Sequence, residues 1–218
     1  MNLLPPWTYT SLNDFDNCPH KYFRKYVLKD LPKEPASPEM KVGIEAHAMM
    51  EQAIKNDRPL PAGAPTIAKN YLARLKPFKP QAEAKLAVDA HGRPVDFFDK
   101  SAVGRGKADI IVIGQEHGVI LDWKTGKVRE DPFELEVFAY LASRLLSHVK
   151  KWMGVYIWLK DGRAGKPHFL DPNHAQQRIA SLWATIENCN NTNNWPKNEN
   201  PLCGWCNVTD CQFNKRQP

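Results

Sequence analysis

The spacing of hydrophobic residues changes along the chain from a helical to a strand period. Leu12, Phe15, Tyr22, Phe23 and Tyr26 predict a helix over 8–30, interrupted at Cys18 and Pro19. Ser11 is its expected N-cap, with Asp14 at the third position, close to a capping box. Ile44, His47, Glu51 and Ile54 recur at intervals of three or four and predict a second helix over 43–55, and 66–75 reads as a third. Pro-rich stretches at 31–40 and 56–65 read as loops. After Pro80 the period shortens to two. Residues 83–90 alternate up to the turn signal "HGR", and 107–113, 118–124 and 153–161 are strand-like runs. Between the last two, 131–149 reads as a helix that opens on acids and closes on basic residues, as a helix dipole favours. Residues 172–188 form a last helix, followed by a polar loop (188–201) in which Cys189 is a plain thiol. Helices, a three-stranded meander, a helix, a strand and a helix predict an α/β chain with a mixed central sheet flanked by helices.

The 218 residues suffice for one good core. The expected organisation is a single domain: an N-terminal helix and loop (1–40), a core (41–188) and a C-terminal loop with a cysteine cluster (189–218). No apolar run approaches the ~18 residues of a membrane span. The opening "MNLLPPWTYTSLNDFD" lacks the basic and apolar regions of a secretory signal, so the cytoplasm is the expected location, with no membrane partner. There is no G-x-x-x-x-G-K-[ST] phosphate loop, which excludes a motor of that kind. The net charge is +6, compatible with a polyanionic partner. Its cations recur in "HKYFRKYVLKD", "RLKPFKP", "GRGK" and "KVR", some of them beside aromatics. Lys21, Arg24, Lys25, Arg105, Lys107 and Lys127 are the candidates to line a groove for nucleic acid, with a plain solvated surface as the alternative.

Strands 107–113 and 118–124, joined by "GQEH", form an expected hairpin. If Ile113 pairs with Gly118, Asp109 falls opposite Asp122, about 5 Å away on the same face. Period two adds Lys124 to that face and sends Trp123 to the other. Two carboxylates so close repel unless a cation sits between them. Oxygen ligands of this kind suit Mg²⁺ or Mn²⁺. Acids merely exposed at strand ends are the alternative, but "ADIIVI" and "VILDW" read as interior strands, where carboxylates need partners.

Four segments in order, "GIEAH" (43–47), "GKAD" (106–109), "DWK" (122–124) and "EVFAY" (136–140), together with the opening "SLNDFDNCPHKYFRKYV", resemble the RecB-like branch of the PD-(D/E)XK nucleases. The resemblance runs from about 11 to 211. It implies a restriction-endonuclease-like core and a metal-dependent nuclease, with exonuclease action on single-stranded DNA or duplex ends in recombination, repair or processing. It also implies that His47, Asp109, Asp122 and the Trp123 carbonyl oxygen hold one or two Mg²⁺ or Mn²⁺ ions. Lys124 would orient or help deprotonate the attacking water and offset phosphate charge. Glu136 and Tyr140 stand where the family has a Gln and a Tyr beside the strand being cut, and Glu136 departs from the pattern. Glu51, one turn beyond His47, is a candidate to orient the imidazole, and Glu83 to approach the ion through water. A separate helicase or recombinase is a candidate partner.

Cys203, Cys206 and Cys211 crowd the C-terminus, a spacing that favours metal over disulfides in a cytosolic protein. Cys18 is the expected fourth ligand. Nucleases similar to this branch, AddB-type and CRISPR-associated ones among them, join one N-terminal and three C-terminal cysteines around a [4Fe–4S] cluster that clamps the two ends of the domain. Zn²⁺ is also compatible with four thiolates and stays open. Two other functions remain: a non-catalytic nucleic-acid binder on a nuclease scaffold, and a zinc-ribbon interaction module on an unrelated body.

Overall fold

The computed structural model describes residues 3–32 and 35–215, and the chain divides into two compact units, 36–175 and the pair of segments 1–35 and 176–218. Unit 36–175 opens with α3 (Pro38–Lys55), following α1 (Tyr9–Asn17) and α2 (Pro19–Tyr22) of the other unit, and continues with α4 (Thr66–Leu75). Then come β1 (Gln81–Val88), β2 (Gly104–Ile113), β3 (His117–Lys124), α5 (Pro132–Leu145) and β4 (Lys151–Trp158). Two short strands, β5 (Arg163–Ala164) and β6 (His168–Leu170), complete the sheet. Its order is β1-β2-β3-β4-β5, with β6 also on β4. The meander β1-β2-β3 is antiparallel; β3 and β4 are parallel, joined through α5 as a crossover requires. This is the expected mixed sheet flanked by helices.

Several boundaries moved. α3 begins at Pro38, not at 43, because Ser37 caps it and Pro38 takes the first helical position, where a missing N–H costs nothing. β5 and β6 were not expected, since two or three residues carry no readable period. Below the sheet, Met50 of α3 and Ala68 of α4 pack with Ile110, Val112, Leu121, Trp123, Val155, Ile157 and Leu159. α5 lies against Gly106 so closely that a Cβ there would come 2.7 Å from Leu141 Cδ1.

The other unit holds α1 (Tyr9–Asn17), α2 (Pro19–Tyr22), a π-helical turn (Phe23–Leu28) and a 3₁₀ turn (Pro201–Trp205). The predicted 8–30 helix is therefore broken at Cys18, whose φ of −161° is extended. A residue before proline is disfavoured in the α region, which puts the break there. The cap is Thr8 rather than Ser11: Thr8 Oγ1 accepts Ser11 N–H at 3.1 Å and Ser11 Oγ accepts Thr8 N–H at 2.8 Å. Trp195 stacks on Tyr22 and Phe23, with centroids 5.9 and 5.0 Å away. α6 (Pro172–Thr192) outlasts its predicted end, and Cys189 is a buried helical residue, not a loop thiol.

Candidate active site

The β2–β3 hairpin takes the predicted register: Ile113 pairs with Gly118 and Ile110 with Leu121. Gly114 N–H donates to His117 O at 2.8 Å, closing a tight turn over Gln115 and Glu116. The ladder stops one step short of the predicted Asp109–Asp122 pair. Asp109 Oδ2 instead accepts the backbone N–H of Trp123 at 2.8 Å, while Oδ1 lies 3.1 Å from His47 Nδ1. Asp109 is thus fixed on both oxygens, one by strand β3 and one by helix α3.

On the opposite side β1 brings Glu83. The β1–β2 register pairs Ala82 with Ile110 and Ala84 with Ala108, which sets Glu83 across from Asp109. Glu83 has φ +54°, inside a strand, a conformation that costs a non-glycine residue about 1–3 kcal/mol and gathers at functional sites. Its carboxylate is nearly buried, 3.9 Å from His47 Nδ1, and paired with Lys107. Ligand atoms of His47, Glu83 and Asp109 all lie within 4.8 Å of one another. Glu83, expected only through water, belongs to this cluster directly.

Asp122 and Lys124 form a second group. Lys124 Nζ sits 2.7 Å from Asp122 Oδ2 and 2.8 Å from Glu134 Oε2, and Tyr156 Oη donates to the same Glu134 oxygen at 3.1 Å. Burial, and then the charges of Asp109 and Glu134, push the Asp122 carboxyl well above its ordinary range. Burial works to lower the Lys124 pKa, but Asp122 and Glu134 outweigh it and hold the ammonium charged. The hydrogen bond with Asp109 raises the His47 pKa against burial. The two groups therefore sense one another. Trp123 points into the core, 1% exposed, as the strand period predicted.

Glu134 escaped the sequence reading. Its only signal was an acid in the first turn of α5, which the dipole already explains. The remaining candidates are spread over several elements. Glu51 pairs with Lys55 at 2.7 Å, its i,i+4 neighbour, while His47 Nδ1 faces Asp109. Glu136 lies 2.7 Å from His174 Nδ1. Tyr140 is buried, its hydroxyl beside Gly92. In the unit of the chain ends, Lys21 and Lys25 are both held by Asp14 at 2.8 Å, and Arg24 by Asp30 and Asp210. Their charges are met within the protein. Arg105 is half-buried, Lys107 is exposed beside Glu83, and Lys127 is exposed in the loop after β3. Gly43 faces Thr125, whose Oγ1 would be 3.1 Å from a Cβ there.

Cys18, Cys203, Cys206 and Cys211 line one small cavity, and none is in a disulfide. Cys203 is buried, and its sulfur accepts the Asn200 N–H at 3.5 Å. Asn214 Nδ2 donates to the carbonyls of Cys206 and Val208 at 2.9 and 2.8 Å.

Among the described residues no helix is long and apolar enough to cross a membrane. The family model of the PD-(D/E)XK nuclease superfamily matches residues 6–211. No curated protein matches the chain. Among solved structures, a "putative exonuclease" from Eubacterium rectale superposes with a TM-score of 0.56 at 12% identity, over 98% of this chain and 90% of that one. SSO0001 gives a TM-score of 0.45 at 12% identity, over 98% and 89%.

Proposed function

Because the chain belongs to the PD-(D/E)XK nuclease superfamily, we propose that it is a divalent-metal-dependent deoxyribonuclease acting on single strands or duplex ends, in the exonuclease manner. The observation that carries this reading is the convergence of His47, Glu83 and Asp109 ligand atoms within 4.8 Å, on a helix and two adjoining strands. The residues fit a cation. Glu83, Asp109, Asp122 and Glu134 crowd a largely buried region in which Lys107 and Lys124 supply the paired positive charge. Two carboxylates and an imidazole suit Mg²⁺ or Mn²⁺. His47, Glu83 and Asp109 hold one ion, and Asp122 with the Trp123 carbonyl oxygen completes the shell or shares a second. Such an ion makes a water acidic and neutralises charge on the phosphate. Lys124, paired with Asp122 and Glu134, would orient or help deprotonate the attacking water and offset charge on the phosphate. Glu136 and Tyr140 sit on α5, one paired with His174 and the other beside Gly92, and both remain candidates to position the strand being cut.

We further propose that the four cysteines hold a structural [4Fe–4S] cluster, with Zn²⁺ as the other occupant their thiols would accept. Their shared cavity and the N–H donated to Cys203 sulfur fit a thiolate site. Protein purified without oxygen is expected to carry iron and sulfide and absorb broadly in the visible; stoichiometric zinc without iron overturns the cluster. The nuclease reading is tested with end-labelled single-stranded and duplex DNA in Mg²⁺ and Mn²⁺. Metal-dependent shortening of label is expected, and a wild-type protein that binds DNA but never cleaves it ends the reading.

A further inference from the structure

The connection between β1 and β2 (89–103) carries a construction that the cluster itself does not explain. Its Phe97 and Phe98 meet edge to face with centroids 5.1 Å apart, and Phe98 is 74% exposed. Lys85 Nζ lies 5.9 and 5.1 Å from the two ring centroids, and the Arg105 guanidinium 5.8 Å from that of Phe97. Lys85 is the register partner of Lys107. The two therefore share a face with Arg105, which is two residues, or about 6.6 Å, further along β2. Lys107 in turn pairs with Glu83 of the metal cluster. Three cations thus run from the cluster to an exposed aromatic pair.

The loop that presents the rings is pinned along its length. Asp89 Oδ1 accepts the N–H groups of His91 and Arg93 at 2.9 Å each. Val95 N–H donates to Ala87 O at 3.1 Å and Val103 N–H to Val88 O at 2.9 Å. Arg144 Nε donates to Gly92 O at 2.7 Å, and Arg105 Nη2 to Asp99 O at 3.0 Å. The Asp99 carboxylate is taken by Ser101. A ring held in place loses little freedom when a ligand stacks on it.

We propose that Phe97 and Phe98 form a stacking platform for a base of a single-stranded nucleic acid, whose phosphates follow Lys85, Arg105 and Lys107 to the metal cluster. Aromatic faces accept any base while cations track the backbone. In a duplex the base faces are already stacked, so the platform selects unpaired strands. This deepens the nuclease reading and rests on it for the direction of the strand.

The test measures fluorescence anisotropy, without divalent metal, of labelled oligo-dT, of an abasic oligomer of the same length and charge, and of blunt duplex. Wild type is expected to bind oligo-dT about tenfold more tightly than the abasic strand. Phe98→Ala removes that difference, with an unchanged melting temperature because the ring is exposed, and Phe98→Trp retains it. Equal binding of oligo-dT by wild type and Phe98→Ala overturns the platform, as does an equal affinity of wild type for the dT and abasic strands. A cleavage assay in Mn²⁺ separates the two ideas. Cleavage by wild type and Phe98→Ala with the same KM sinks the platform and leaves the nuclease; base-dependent binding through Phe98 without cleavage sinks the nuclease and leaves the platform.

Discussion

Glu83 and Asp109 stand on neighbouring strands of a hydrogen-bonded sheet, whereas Cys203, Cys206 and Cys211 stand on a short 3₁₀ turn and the bends that follow it. The strands fix where the acids point through a ladder that needs no ion. Asp109 is further held by Trp123 N–H and His47. The cysteine segment has no ladder. It is held by caps and turns instead, among them the Asn200 cap on Leu202 N–H at 2.9 Å, Cys211 N–H to Val208 O at 3.2 Å, Lys215 N–H to Cys203 O at 3.2 Å and the Asn214 amide. The difference teaches that the two proposed metals would have different uses. In the sheet an ion would add chemistry to a preformed site; among the turns a cluster or Zn²⁺ would supply the order itself.

The largest expected effect comes from Asp109→Asn. Cleavage should fall by about a thousandfold, since several kcal/mol of charge stabilisation depend on the ion. The melting temperature should hardly move, because the sheet does not need the ion. A coincident loss of fold and activity would show instead that this site, too, is built by its metal. Next is Cys203→Ala, expected to abolish binding of the proposed cluster or Zn²⁺ and destabilise the cysteine-bearing segment by at least about 3 kcal/mol. Hydrogen exchange of residues 198–215 reads it, and unchanged protection would erase the contrast between the two regions.

Glu83→Gly tests the strained strand more finely. Glycine adopts φ +54° freely, so the protein should gain about 1 kcal/mol, seen as a melting point raised by about 2–4 °C, while cleavage is lost. A fall in stability would mean that the Lys107 pair outweighs the strain. The smallest effect concerns Asp14. Burial acts to raise its pKa, but Lys21, Lys25 and Tyr26 more than offset this and leave it below the ordinary value. The unfolded chain then binds the proton more readily, so this contribution is present above about pH 4 and is lost as pH falls through the lower, folded-state pKa. Melting curves of wild type and Asp14→Asn should converge on acidification through that window; curves that stay parallel would remove Asp14 as a pH-dependent contributor.

Much of the core was legible from period alone. The hairpin register followed from an even turn, and α4 from its apolar spacing, because both depend on neighbours close in sequence. The break at Cys18 was visible as an interruption, though its cause, the proline that follows, sets it more sharply than the reading of one helix allowed. Lys21, Arg24 and Lys25 looked like a nucleic-acid surface because charge is legible in sequence and its partner is not. Asp14, Asp30 and Asp210 are those partners, the last of them 186 residues away from Arg24.

The sequence by itself determined the alternation that buries Trp123 while Asp122 and Lys124 take the other side, since a strand has period two whatever surrounds it. It also fixed the order of motifs and the clustering of three cysteines. Only the tertiary structure decided that Glu83 joins His47 and Asp109 directly, and that Glu134 shares Lys124. Those meetings join residues far apart along the chain or depend on one left-handed residue in a strand. Neither leaves a local pattern, because their free energy comes from the assembled fold and not from the segment that carries them.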